Sequence, residues 1–270
     1  MVPPSAGASG GGGGGAAGGQ QAQSGSAIGA DGGPEAQQAL RVSDMGSEPL
    51  VMLGPIVGVM QAAEMSLMDA AVATGVTDMD VHGFVATEFA SSVVDEDPHG
   101  VVLDEAASIT LYTMESELYP TLNTLLRNRD RKQLKPFFPF LKLLMLARAK
   151  LPKFQGTVWR GVKGVDLTEK YPKGKEFYWW AFSSTTKQLS TLSSDQFLGK
   201  TGTRTIFNIQ LLSGTDIQTY SMFQQETTEA EVLIFPGTKF KVIDSLDTGN
   251  GFFMVHLLEV QLPPGISMFK

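Results

Sequence analysis

The sequence predicts an α+β fold, because its two halves carry different hydrophobic patterns. Between about residues 50 and 155, apolar residues recur at three- and four-residue spacing, as they do along one face of a helix. After Lys153 the chain changes to short β-rich runs bounded by Gly, Pro, Asp or Ser. A run of helices followed by a run of strands is typical of the α+β class.

The N-terminal part divides into a tail and a helical segment. Residues 1–40 consist of Gly, Ala, Gln and Ser with almost no large apolar side chains. Such a segment buries too little apolar surface to offset its ordering entropy, so we expect it to be disordered. Residues 41–105 form a helical N-terminal segment to which the sequence assigns no role.

Two helices are expected before the strands begin. The second starts near Leu141, in LKLLMLARAKL, and Pro152 ends it. The first is expected where apolar residues keep helical spacing without a break, at Leu111, Met114, Leu118, Leu122 and Leu125.

The strand-rich half contains six β-rich runs and one further helix candidate. That candidate lies at about Gln188 to Leu198. The runs are GTVWRGV, EFYWWAFSSTT, TRTIFNIQL, EVLIF, TKFKVIDSL and GFFMVHLLEV.

Composition excludes several classes of function. The formal net charge is −7, which argues against nucleic acid as a partner, because binding it depends on neutralising phosphates with Lys and Arg. There is no cysteine, so disulfides, thiolate nucleophiles and Cys-based zinc sites are excluded. The three histidines, His82, His99 and His256, have no metal-ligand spacing, and we expect no metal.

No targeting or membrane signal is expected. The N-terminus has neither a basic region nor an apolar core typical of a secretion signal. The longest apolar stretch is interrupted by Gln61 and Glu64, and the C-terminus carries no apolar tail. We therefore expect no membrane partner and a cytoplasmic location.

The first candidate site is VWRGV, at residues 158–162. An arginine within an apolar strand is costly to bury without a partner, so Arg160 forms either an internal ion pair or a bidentate clamp on phosphate. Gly161 beside it permits a close approach of the backbone.

The second candidate site is AFSSTT, at residues 181–186, where hydroxyl groups gather at the exit of a strand. One interpretation is a cap for the following helix candidate. The other is a hydroxyl that orients a neighbouring carboxylate.

The third candidate site is EAEVLIFPGTKFKV, at residues 229–242. Glu229 and Glu231 are two residues apart, so in a strand both carboxylates share one face and repel each other. A wet strand end would tolerate this pair. Alternatively, the pair handles a cation, or stabilises one that forms during a reaction, and Tyr220 and Phe223 in the preceding polar loop suit a flat ring or a cationic ligand.

Taken in order, these three motifs resemble the arginine-specific mono-ADP-ribosyltransferases of the Arg–Ser–Glu class. The resemblance covers residues from about Ile109 to Glu259, and LYTMESELYPTLNTLLR looks like the helix that precedes the core of that family. It implies a catalytic domain at 106–265, with two small, mainly antiparallel sheets around an NAD cleft.

The resemblance also implies a role for each motif residue. Arg160 would hold the phosphates of NAD, with Gly161 lining the same cleft. Ser184 would orient the catalytic carboxylate, although the final serine of the family's Ser-Thr-Ser motif is Thr186 here. Glu231 would stabilise the charge that develops as nicotinamide leaves.

The acceptor side is implied in the same way. Glu229 would engage the acceptor guanidinium, and the loop from Tyr220 to Thr228 would recognise the acceptor, with Phe223 as its aromatic contact. The expected activity is that of an NAD(P)+–protein-arginine ADP-ribosyltransferase, in the glycosyltransferase class, with NAD as co-substrate and a protein with an exposed arginine as partner. The alternatives are an NAD glycohydrolase, a non-catalytic NAD- or protein-binding module, and a purely structural domain.

Overall fold

The computed structural model describes residues 48–49, 52–95, 97–193, 198, 200–222, 231–263 and 268–270. The tail expected over residues 1–40 lies outside these ranges. The helical part of the described chain comprises α1 (Leu67–Ala73), α2 (Met79–Val94), α3 (Leu103–Thr113), α4 (Leu118–Arg127) and α5 (Phe138–Lys150). No helix in these ranges is long and apolar enough to cross a lipid bilayer.

The expected helix across Met114 is in fact two helices. α3 ends at Thr113, Met114 has extended backbone angles, and α4 begins at Leu118. The helical spacing survives the break because Leu111, Met114 and Leu118 all contribute to the same buried cluster. Spacing alone therefore cannot reveal where the backbone leaves the helix. The prediction for the next helix is confirmed, because α5 ends at Lys150 shortly before Pro152.

Seven strands follow among the described residues. They are β1 (Lys153–Lys163), β2 (Glu176–Trp179), β3 (Ser183–Thr186), β4 (Arg204–Asp216), β5 (Glu231–Ile234), β6 (Thr238–Asp247) and β7 (Phe252–Glu259). The helix candidate at 188–198 is wrong for its first part, where the backbone forms a 3₁₀ turn over Leu189–Ser193. Most of the rest of that candidate lies outside the described residues.

The strands confirm the expected α+β architecture. They form one hydrogen-bonded set in the order β1-β3-β5-β4-β7-β6-β2, and β1 also pairs with β4. The set thus has two parts that share β4: a closed group of β1, β3, β5 and β4, and an extension through β7 and β6 to β2. All pairings are antiparallel except that of β4 with β7.

β5 lies at the centre of the core and is buried on both faces. Leu233 belongs to the cluster shared with the helices, whereas Val232 and Ile234 belong to the cluster between the strands. Because both faces are covered, the sequence of β5 is an unbroken apolar run rather than an alternating one. Glu231 is the polar residue at its first position.

Candidate functional site

Arg160 lies on β1, between two fully buried valines. Arg160 is 4% exposed, and its Nη1 donates a hydrogen bond to the carbonyl oxygen of Ser184 at 2.9 Å. A buried guanidinium needs such acceptors, because leaving its N–H groups unpaired in the core is costly. The first sequence motif is therefore joined directly to the second.

Gly161 is a point of close approach, as expected from its lack of a side chain. A Cβ atom at this position would lie 2.9 Å from Cδ1 of Leu198. The group that packs against Gly161 is thus a leucine side chain of the same protein. A contact of Gly161 with NAD stays a prediction.

Ser184 and Glu231 share one face of the paired strands β3 and β5. In this antiparallel pair Ser184 lies opposite Leu233, and Thr186 lies opposite Glu231. Directly opposed residues point to the same face, as do residues two apart along a strand. The register therefore brings the second and third motifs together, with Ser184 half-buried.

The hydroxyl-rich end of β3 forms a local hydrogen bond with the chain that follows it. The Thr186 hydroxyl oxygen accepts a hydrogen bond from the backbone N–H of Gln188 at 3.0 Å, immediately before the 3₁₀ turn. This contact is a local turn that ends before the 3₁₀ turn begins, so the expected cap of a following helix stays a prediction. Thr186, rather than Ser184, makes the local hydrogen bond to the chain that follows β3.

The Glu231 carboxylate is held by a residue that the sequence motifs did not single out. Glu231 is 9% exposed, and its Oε2 accepts a hydrogen bond from the Oγ of Ser221 at 2.6 Å. Ser221 itself is 2% exposed. It belongs to the polar loop that precedes Glu231, but no spacing rule pairs two residues ten positions apart.

A 3₁₀ turn brings Ser221 back to the start of β5. The turn spans Gln218–Tyr220, and the N–H groups of Tyr220 and Ser221 both donate to the carbonyl oxygen of Ile217 at 3.0 Å. The N–H of Ile217 in turn donates to the carbonyl oxygen of Glu231 at 3.1 Å. The turn thereby sets Ser221 beside the carboxylate.

Helix α3 holds this turn from the other side. The Thr110 hydroxyl donates to the carbonyl oxygen of Tyr220 at 2.8 Å, and the N–H of Met222 donates to the Thr113 hydroxyl oxygen at 3.0 Å. Ser221 is therefore flanked by two tethers to one helix.

A third tether runs from the turn to the loop before α3. The Tyr220 hydroxyl donates a short hydrogen bond to Asp97, which also accepts from the N–H groups of His99 and Val101. Burial raises the pKa of Tyr220, and the hydrogen bond to Asp97 and its negative charge raise it further. Burial acts to raise the pKa of Asp97 as well, but the three hydrogen bonds outweigh it and the pKa lies below its ordinary value.

The acceptor side of the expected site falls outside the described residues. Phe223 and Glu229 lie in the range 223–230, and of the loop from Tyr220 to Thr228 the structure describes only the first three residues. The NAD cleft and the acceptor contacts therefore stay predictions. In the described ranges, no three His, Asp or Glu side chains are grouped so that they could hold a metal ion.

Comparison with known proteins gives one family and a set of related folds. The family model "ART: NAD:arginine ADP-ribosyltransferase" matches residues 88–260, which is more than half of the chain. Comparison with the sequences of curated proteins gives no match.

The related folds come from solved structures. The type III effector XopAI from Xanthomonas axonopodis pv. citri is 15% identical, with a TM-score of 0.56 over 84% of this chain and 91% of the effector. The eucaryotic mono-ADP-ribosyltransferase ART2.2 is also 15% identical, with a TM-score of 0.51 over 77% of this chain and 97% of ART2.2. At these identities the likeness shows a shared fold.

Proposed function

The chain belongs to the NAD:arginine ADP-ribosyltransferase family, and from this premise we propose that it transfers ADP-ribose from NAD to arginine side chains of acceptor proteins. Membership makes it a transferase that uses NAD. The arginine acceptor, the release of nicotinamide and the individual residue roles are the proposal. The observation that carries it is the buried Glu231 carboxylate at the head of β5, on the same face as Ser184.

The proposed chemistry begins with cleavage of the bond between the nicotinamide nitrogen and C1′ of the ribose. The electron pair of that bond leaves with nicotinamide, and the ribosyl group becomes an oxocarbenium-like cation. A carboxylate fixed beside this charge stabilises the transition state more than the ground state, because NAD carries less positive charge at the ribose. We assign this task to Glu231.

The second half of the reaction forms a new bond between C1′ and a guanidino nitrogen of arginine. That nitrogen is a poor nucleophile while the guanidinium keeps its proton, so the reaction needs a group that orients it and takes the proton. We assign this task to Glu229. The products are ADP-ribosyl-arginine, nicotinamide and one proton, and no metal is needed.

The remaining two assignments concern the binding of NAD. The buried Arg160 already joins the strand that carries Ser184, and its positive charge suits the phosphates of NAD. We assign to Ser184, which shares a face with Glu231, the task of orienting the same carboxylate. Both assignments follow the resemblance in the three motifs.

The test is an incubation with NAD and agmatine, a small guanidino acceptor, in which nicotinamide and ADP-ribosyl-agmatine are measured together. Equal amounts of both support arginine transfer, whereas nicotinamide alone supports a glycohydrolase. No turnover despite binding of NAD supports a non-catalytic module.

Two substitutions separate the proposed roles of the glutamates. Glu231→Gln keeps the shape but removes the charge, so both products should fall by about 100-fold or more. Glu229→Gln should retain nicotinamide release while losing transfer to agmatine. Glu176→Gln, which removes a surface carboxylate paired with Lys239, is the matched control and should change neither product. Normal transfer by Glu229→Gln would remove that residue from the mechanism.

A further inference from the structure

The carboxylate of Glu231 is fixed through one of its two oxygen atoms. Oε2 accepts the hydrogen bond from Ser221, and no other described side chain donates to this carboxylate. A hydrogen bond of 2.6 Å from a hydroxyl to a carboxylate is in the range expected for a charge-assisted contact, which is stronger than a bond between neutral groups. The contact also lies in the interior, where water competes little for it.

We propose that Ser221 is the positioning residue of Glu231, holding Oε2 so that Oε1 is presented to the ribose of NAD. This inference rests on the proposed function. A glutamate has three rotatable side-chain bonds, and an electrostatic contribution to catalysis requires that the charge already points at the site where positive charge develops. Ser221 touches neither NAD nor the acceptor and exchanges no proton in this role.

Ser221 suits this role because its own position is constrained from several sides. Its N–H donates to the carbonyl oxygen of Ile217, and the peptide groups on either side of it are tied to Thr110 and Thr113. A side chain held in this way keeps its partner in one orientation without a further loss of entropy at the moment of reaction. The orientation of Glu231 thus depends on helix α3.

Ser184 and Ser221 differ in how they relate to Glu231. Ser184 is tied to Arg160 through its carbonyl oxygen, and its hydroxyl shares a face with Glu231. The hydrogen bond to the carboxylate, however, comes from Ser221. A Ser221 variant therefore removes a contact to Glu231 that is present before NAD binds. A Ser184 variant tests a contact that would form only with NAD.

The kinetic test compares Ser221→Ala with the wild-type chain in the NAD and agmatine assay. We expect kcat to fall about 10- to 100-fold, the range for losing a hydrogen bond to a charged group, while the Kd for NAD changes by less than about threefold. Ser221→Thr restores a hydroxyl and should recover most of the lost kcat. Ser108→Ala is the matched control. Ser108 lies on α3, is as buried as Ser221, and donates to a backbone carbonyl oxygen within α3 rather than to Glu231.

The result that overturns the inference is a folded Ser221→Ala protein whose kcat stays within about twofold of wild type. An equal loss in Ser108→Ala would overturn it as well, since that would assign the effect to general packing.

A structural readout keeps this test separate from the proposed function. Crystal structures of wild type and Ser221→Ala should show one orientation of the Glu231 carboxylate in the former, and a displaced or multiple orientation in the latter. An unchanged orientation overturns the inference. This readout does not depend on turnover, so a wild-type protein without activity would refute the proposed function alone.

Discussion

The hydrogen bond between Tyr220 and Asp97 links the turn before Ser221 to the loop before α3. A substitution that deletes one oxygen atom removes this hydrogen bond. Tyr220→Phe deletes the hydroxyl and keeps the ring, which packs in the cluster shared by the helices and β5. Asp97 retains the N–H groups of His99 and Val101 as donors, at 2.9 and 2.8 Å. The substitution therefore removes the donor to Oδ1 of Asp97 and keeps both donors to Oδ2, on a carboxylate that is only partly buried.

The expected cost at neutral pH is about 1.5 kcal/mol of the free energy of unfolding. A hydrogen bond to a charged group is worth about 1.5–3 kcal/mol. The lower end applies here, because the Asp97 carboxylate is only partly buried and keeps its two backbone donors.

The cost should depend on pH with a defined sign. The pKa of Asp97 is lower in the folded chain than its ordinary value, so this group contributes stability above the unfolded value of about 4, and the contribution is lost as the pH falls through the folded pKa. Protonated Asp97 still accepts a neutral hydrogen bond, which is roughly half as strong. The difference between wild type and Tyr220→Phe should therefore shrink by about half as the pH falls through the folded pKa of Asp97, which lies below the ordinary value of about 4.

The measurement is urea unfolding, followed by tryptophan fluorescence, at pH 7 and at successively lower pH down to about pH 2, so that the folded pKa of Asp97 is crossed. Tyr178→Phe is the matched control, because the Tyr178 hydroxyl makes no hydrogen bond to any described residue, and its loss should cost less than about 0.5 kcal/mol. A Tyr220→Phe cost below about 0.5 kcal/mol at pH 7, or one that does not change with pH, would refute the assigned charged hydrogen bond.

Two further predictions concern buried polar contacts that hold β3 and the segment before it. Arg127→Met removes the guanidinium whose Nε lies 2.6 Å from Glu48, while the Trp180 N–H still donates to that carboxylate. It should cost about 3–5 kcal/mol in urea unfolding, because a nearly buried negative charge loses a cationic partner. A double variant with Glu48→Gln should recover part of that loss, and no recovery would contradict the reasoning. Asn123→Ala removes a side chain that donates to the Phe182 carbonyl oxygen at 3.3 Å and accepts from the Phe182 N–H at 3.1 Å. Leaving both backbone groups unpaired should cost about 2–5 kcal/mol, and a loss below about 1 kcal/mol would show that water or a rearrangement replaces the amide.

The elements with a strong local pattern were predictable. Each of the seven strands among the described residues overlaps one of the six β-rich runs, because alternating or continuous apolar residues bounded by turn residues define a strand within a short window. The runs underestimate the length of two strands: β1 begins at Lys153, before its run, and β4 continues to Asp216, beyond its run. EFYWWAFSSTT is the one run that divides, into β2 and β3, with Trp180 to Phe182 between them. The break at Met114 escaped prediction, because apolar residues on both sides of it face the same cluster.

The sequence by itself determined the fold class and the three motifs, since residue chemistry and periodicity are properties of short stretches of chain. The tertiary structure decided which residues of those motifs touch. Arg160 reaches the backbone of Ser184 across 24 positions, and Ser221 rather than a strand neighbour holds Glu231. These contacts depend on the register of β3 with β5 and on the turn at Gln218–Tyr220, which arise only when helices and strands pack into one core.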